Sequence, residues 1–215
     1  DYSRPDTAYT VENMDLEAGH ILINGNPISL DFASKYNVYN LCAAYAAADL
    51  VGVDNTVIAK VLSDFVMKNG RVVRFEAGEN KGLLITSKHE NSTSYNQSLG
   101  YVCMEKEPFD LVILVDAISR KYYTAETSWL WDISFQMLKD SQAQRIILTG
   151  KYAYDLGLRL SLTDIDPAKI IVQPDMDEMG RLIAEPHGRK LFAVTCFSDK
   201  EKLFSRVKVT GPVAK

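Results

Sequence analysis

The sequence predicts an α/β fold, an open, doubly wound and mostly parallel sheet running from about Asn69 to Arg206. Three observations point there. The runs Leu111-Val112-Ile113-Leu114-Val115, Ile146-Ile147-Leu148 and Leu191-Phe192-Ala193-Val194 are apolar without alternation, as strands buried on both faces must be. Segments of helical character separate them, about Tyr152 to Leu160 and Met176 to Ala184 among them. Parallel strands need such crossovers, which lay helices on both faces of the sheet.

The first third of the chain reads differently. Ala8 to Val11, His20 to Ile23 and Ile28 to Leu30 have strand period, and Asn24-Gly25 between the last two supplies the positive φ angles of a tight hairpin turn. The alanine-rich run Leu41 to Ala48 follows Tyr36 to Asn40 and is strongly helix-prone. Val51-Gly52-Val53-Asp54 ends that helix and caps the next, from Asn55 to about Met67. The two helices form a hairpin. After the turn Lys68-Asn69-Gly70-Arg71 the predicted elements are strands at Val72–Phe75 and Leu83–Thr86, a helix at about Ser94–Lys106, then the alternation already described, closing on strand Ile170–Val172 and a helix near Lys200–Arg206. A start on strands with no glycine-rich loop before them suggests a piece of a larger architecture.

Composition excludes several function classes. Of 215 residues 47% are hydrophobic and 24% charged, an ordinary globular balance, and a net charge of -4 gives no basic surface for nucleic acid. No run approaches a membrane span and no signal peptide is legible, so the chain is cytoplasmic in character. Cys42, Cys103 and Cys196 are scattered through a predicted helix, helix and strand, and His20, His89 and His187 are equally dispersed, so neither a disulfide framework nor a metal site is expected. The phosphate cradles GxxxxGK[ST] and GxGxxG are absent, which argues against ATP hydrolysis by this chain alone. Gly150-Lys151 could hold an anion at a helix start, but a lone Gly-Lys is more often a plain strand-to-helix turn. No histidine has a nucleophile motif beside it, so an autonomous triad hydrolase is not expected.

In an open parallel sheet, ligands bind beyond the carboxyl ends of the strands. The longest such connection runs from Asp116 to Asp132 and carries Tyr122, Tyr123, Trp129 and Trp131. It reads either as a binding surface or as a loop folded over the sheet edge. The two tryptophans would share a face on a strand and diverge on a helix, and either could be core.

Ser128-Trp129-Leu130-Trp131-Asp132 resembles the corresponding motif of the MurT-type family, the Mur-ligase-like subunits of lipid II isoglutaminyl synthase. Other stretches agree with it. Arg4-Pro5 is similar to a pair that follows the family's zinc ribbon, which is itself missing here. Tyr36-Asn37-Val38-Tyr39-Asn40 with its alanines looks like the Asn-rich signature closing the Mur ligase central domain, and Gly70-Arg71 like the start of the C-terminal domain. Lys88, Tyr95-Asn96 and the closing segment Thr195 to Leu203 also correspond. The chain departs from the pattern at Ser87–Ser94, where Pro and Gly are lacking, and at Leu114-Val115-Asp116-Ala117, where the family has Leu-Asn-Asp-Asn.

The resemblance implies two parts, 1–68 as the tail of a Mur ligase central (ATPase) domain and 69–215 as a C-terminal α/β domain. It implies an ATP- and Mg-dependent ligase that activates the D-glutamate carboxylate of the lipid II stem peptide, as an acyl phosphate, for amidation to D-isoglutamine. Ammonia would come from a GatD-like glutaminase subunit with an incomplete triad. By this resemblance Asp132 would complete that triad, with Trp129 and Trp131 as interface anchors and Asp116 and Glu126 as competing carboxylates. Asn37 and Asn40 would meet adenine, helix capping being the alternative, and Arg71 would face the nucleotide. No cofactor is expected to bind tightly to this segment alone, and lipid II would place the intact complex at the inner face of the membrane. A non-catalytic α/β binding or regulatory module derived from a Mur ligase is the alternative, and another amide-forming ligase of folylpolyglutamate type ranks last.

Overall fold

The computed structural model describes residues 6–16, 18–30, 35–65, 72–88, 91–117 and 127–212. The chain divides into two compact units, one built essentially from Asp1–Asn69 and one from Gly70–Pro212.

In the first unit, β1 (Val11–Asp15), β2 (His20–Ile23) and β3 (Asn26–Ser29) form an antiparallel meander, and α1 (Lys35–Leu50) and α2 (Asn55–Ser63) follow. Asn24 and Gly25 both have positive φ, 46° and 75°, as the two central residues of a primed hairpin turn require. Ile21, Ile23 and Ile28 are buried against Val38, Leu41 and Tyr45 of α1. Gly52 at φ 85° ends α1, with Val53 N–H donating to Ala48 O and Gly52 N–H to Asp49 O, the paired bonds of a Schellman motif. Asp54 caps α2 by accepting from the N–H groups of Thr56 and Val57. Several expected bounds shift, α2 ending at Ser63 rather than near Met67 among them. The first strand lies at Val11–Asp15 rather than Ala8–Val11, and α1 begins at Lys35, six residues before the alanine run, because Val38, Leu41 and Tyr45 make one buried stripe that outweighs modest local propensity.

The second unit is a seven-stranded sheet in the order β10-β4-β5-β9-β6-β7-β8. Its strands are β4 (Val72–Ala77), β5 (Asn80–Ser87), β6 (Phe109–Leu114), β7 (Ala143–Thr149), β8 (Ile170–Val172), β9 (Lys190–Cys196) and β10 (Lys208–Pro212). The five strands β5, β9, β6, β7 and β8 are parallel, while β4 pairs antiparallel with both β5 and β10. The sheet is thus the expected mostly parallel one, with an antiparallel edge added by β10, which sequence pattern did not suggest. Helices α3 (Ser92–Cys103) and α4 (Ala153–Ser161) cover one face, and α5 (Met176–Ala184) and α6 (Lys200–Phe204) the other. Successive residues of β6 feed opposite cores: Leu111 and Ile113 pack towards Leu99 and Leu156, Val112 and Leu114 towards Met179 and Leu203. At the amino ends of the strands a wholly buried carboxylate, Asp110, accepts from Arg145 Nε at 2.7 Å and from Arg189 Nε at 2.9 Å. Asp110 is thus partnered within the fold.

The β4–β5 hairpin carries one tight contact. Phe75 stands opposite Gly82, and a Cβ added to Gly82 would lie 2.2 Å from the Phe75 ring. Gly82→Val is expected to lower the unfolding free energy by about 1–3 kcal/mol through overpacking, read by urea denaturation; an unchanged midpoint would mean that the buried ring has room to swing.

Candidate functional site

The carboxyl ends of β6, β7 and β9 meet around two carboxylates. Asp199, after β9, has no exposed surface and accepts the N–H groups of Asp116 and Ala117, each at 2.9 Å, where β6 leaves the sheet. Lys202, one turn along α6, donates to Asp199 at 3.0 Å and also to Asp116. The other Asp116 oxygen accepts the Lys151 N–H at 2.8 Å. Gly150 makes that approach feasible, with φ at 89° and no room for a Cβ, which would sit 2.7 Å from Val115 O. The Gly150-Lys151 turn therefore holds an anion of its own chain, the Asp116 carboxylate. Partial burial pushes the Asp116 carboxyl up, but the hydrogen bonds from Lys202 and the Lys151 N–H, with both ammonium charges, outweigh it and hold the group below the usual carboxylate range. Lys202 shows the converse: burial lowers its pKa, and the bonds to Asp116 and Asp199 more than restore it.

Beyond this clamp the tryptophan motif forms a tight 3-10 turn, Ser128–Leu130, followed by a second turn at Phe135–Leu138. The two indoles diverge. Trp129 is buried, its ring centroid 5.2 Å from that of Tyr95, whereas Trp131 is 48% exposed. Trp129 is therefore a core residue, and of the two expected anchors only Trp131 faces solvent. Asp132 is exposed, and its carboxylate makes no hydrogen bond or ion pair with any other described residue. Its neighbours are firmly held: Arg159 Nη2 donates to Ile133 O at 3.1 Å, and Ser134 N–H donates to Asn96 Oδ1 at 2.8 Å. Asp116, by contrast, is already engaged, and Glu126, Tyr122 and Tyr123 lie outside the described residues.

The Tyr95-Asn96 pair thus divides its labour. Asn96 braces the segment bearing Asp132, while Tyr95 lies fully buried with its hydroxyl 3.2 Å from Cys196 Sγ, and burial pushes that hydroxyl's pKa well up. Lys88 is exposed, its backbone N–H bonded to Ser94 Oγ. Sequence reading gave no role to Asp199, Lys202 or Arg159. The available signals were the Asp-x-x-Lys spacing at Asp199–Lys202 and one arginine between Leu156 and Leu160 on the apolar stripe of α4.

Asn37 and Asn40 lie three residues apart inside α1, on neighbouring positions of one face, with Asn37 half-buried and Asn40 exposed. Because the helix begins at Lys35, neither caps it. An amide can donate to one adenine nitrogen while accepting from the amino group, which is the chemistry the adenine expectation calls for. Arg71 lies outside the described residues. Among the described residues no group of three or more His, Cys, Asp or Glu could hold a metal ion, and no helix is long and apolar enough to cross a membrane.

The profile of the MurT ligase C-terminal family matches residues 89–198, just over half of the chain. The chain is 25% identical over 195 residues to the Staphylococcus aureus lipid II isoglutaminyl synthase (glutamine-hydrolyzing) subunit MurT, covering 86% of this chain and 44% of that protein. It is 25% identical over 184 residues to the Streptococcus pneumoniae protein of the same description, covering 84% and 40%. The chain thus spans less than half the length of the curated relatives it matches. Among solved structures, MurF from Acinetobacter baumannii superposes with a TM-score of 0.62 at 18% identity, over 93% of this chain and 43% of that one, a likeness that shows the fold.

The clamp has a pH signature. Because the Asp116 carboxyl is held below its ordinary value, its stabilising contribution is present above about pH 4 and is lost as pH falls through the lowered folded value. Asp116→Asn should therefore flatten the acid limb of stability, read as unfolding free energy by urea titration between neutral pH and pH 3. An acid limb as steep as that of the unmodified protein would show that Asp116 does not drive it.

Proposed function

The chain belongs to the MurT ligase C-terminal family, and from that premise we propose that it is part of the ligase subunit of a glutamine amidotransferase that amidates the D-glutamate of the lipid II stem peptide to D-isoglutamine. In this reading a GatD-like glutaminase subunit supplies the ammonia, and the present chain docks that subunit and lends it Asp132. A cysteine–histidine pair gains from a carboxylate on the far imidazole nitrogen, which fixes the tautomer and stabilises the imidazolium formed when histidine takes the thiol proton.

The observation that carries the reading is the contrast between two carboxylates. Asp116 is engaged by Lys202 and the Lys151 N–H, whereas Asp132 stands exposed without a described partner on a segment braced at the residues that follow it. A carboxylate offered to a second protein needs a fixed backbone and an open side chain, and Asp132 has both. Trp131 beside it is half exposed, and α4 adds exposed Tyr154, with Leu158 at helical i, i+4 spacing from it; tryptophan and tyrosine are the residue types that anchor interfaces.

ATP with magnesium would supply the phosphoryl group that activates the substrate carboxylate. For this purpose Asn37 and Asn40 are the amides that would meet adenine, while the phosphate cradle has to come from outside this chain. Lipid II as substrate would place the complex at the cytoplasmic face of the membrane.

Asp132→Asn preserves shape and removes charge, so glutaminase turnover of the co-purified complex should fall by about 10²–10⁴-fold with the subunits still co-eluting. Asp116→Asn should leave that turnover within a few-fold; the opposite pattern would move the role to Asp116. In the full-length protein, Asn40→Ala should raise KM for ATP about tenfold with kcat little changed, as expected for the loss of one base contact. An unchanged KM would remove Asn40 from the nucleotide site.

A further inference from the structure

Arg159 occupies an unusual position. On α4, between core residues Leu156 and Leu160, its side chain is only 7% exposed, yet no described carboxylate pairs with it. Its Nε has no hydrogen-bond partner among the described residues. Burying a guanidinium without a counter-ion is strongly unfavourable, and ordinary core packing does not call for it. What the guanidinium does touch is the chain on either side of Asp132. Nη2 donates to Ile133 O at 3.1 Å, one residue after it. The guanidinium carbon lies 5.8 Å from the centroid of the Trp131 ring, one residue before it, and 5.7 Å from that of Phe135. A planar cation can stack on two rings and donate in its own plane at once, which an ammonium cannot do.

We propose that Arg159 is the positioning residue for Asp132, gripping residues 131 and 133 so that the exposed carboxylate between them stands in one place. This rests on the reading that Asp132 completes the triad of a glutaminase subunit. Positioning matters there because displacing a catalytic group by about 1 Å can cost on the order of 100-fold.

The test is a double-mutant cycle in the full-length protein co-purified with its glutaminase subunit, using Arg159→Met, Arg159→Lys and Asp132→Asn. Arg159→Met should lower glutaminase kcat by about 30–100-fold with KM for glutamine little changed, and Arg159→Lys, keeping charge and one donor, should recover part of the loss. In the combined Arg159→Met/Asp132→Asn protein kcat should equal that of Asp132→Asn alone, since a residue acting through Asp132 has nothing left to position. Multiplicative losses, or full activity in Arg159→Met beside an inactive Asp132→Asn, would overturn the positioning role while leaving the triad reading intact. Full activity in Asp132→Asn would overturn the triad reading, and this inference with it. Should Arg159→Met fail to fold, Arg159→Lys carries the same cycle, with near-ultraviolet circular dichroism of the two tryptophans reporting whether the turn is kept.

Discussion

Asp199 is a carboxylate with no exposed surface, and it sits where β6 and β9 run out of partners. Inside a parallel sheet every backbone group is paired by its neighbours, but at the carboxyl edge the chain must turn and expose N–H groups to a largely apolar surrounding. Asp199 takes two of them, those of Asp116 and Ala117, and Lys202 neutralises it. Asp116, so placed, takes a third from Lys151 at the end of β7. One buried charge thereby organises the ends of three strands. The same economy operates at the opposite edge, where Asp110 gathers Arg145 and Arg189. A carboxylate spent on holding the fold is not available for chemistry, so of Asp116 and Asp132 it is Asp132 that stays open.

The segment that carries Asp132 is fixed by contacts of quite different kinds. Trp129 packs beside Tyr95 and anchors the turn in the core, Asn96 receives the N–H of Ser134, and Arg159 lies against Trp131 while holding the carbonyl of Ile133. None of these is a hydrogen bond or ion pair to the Asp132 side chain. The backbone is held while the carboxylate stays exposed to solvent.

Much of the fold was legible, because buried parallel strands announce themselves as unbroken apolar runs. Ile170–Val172 and Met176–Ala184 have the expected bounds, and Asn24-Gly25 makes the expected turn. β10 escaped because Lys208-Val209-Thr210-Gly211-Pro212 is short, half polar and contains glycine and proline, which only an edge strand tolerates. The early start of α1 escaped because asparagine, tyrosine and valine are indifferent helix formers, and the stripe Val38, Leu41, Tyr45 has meaning only once Ile21 and Ile23 are there to receive it. At the candidate site, Asp132 could be singled out by motif, but spacing could not decide how the two indoles lie: a 3-10 turn sends one into the core and one to solvent. Arg159 and Asp199 carried only faint local signals, for a plain reason. Each also bonds backbone groups, 26 and 83 positions away in the chain, and nothing in local sequence marks a carbonyl or an N–H as needing company.

The central claim is that Asp132 meets the far nitrogen of a catalytic histidine in a glutaminase subunit. The most direct measurement is the structure of the assembled complex, read at a single distance. The account predicts an Asp132 carboxylate oxygen about 2.6–3.2 Å from that nitrogen, with the Asp116 carboxylate still bound to Lys202. A histidine facing Asp116 or Glu126 instead, or an Asp132 side chain left in open solvent, would contradict it.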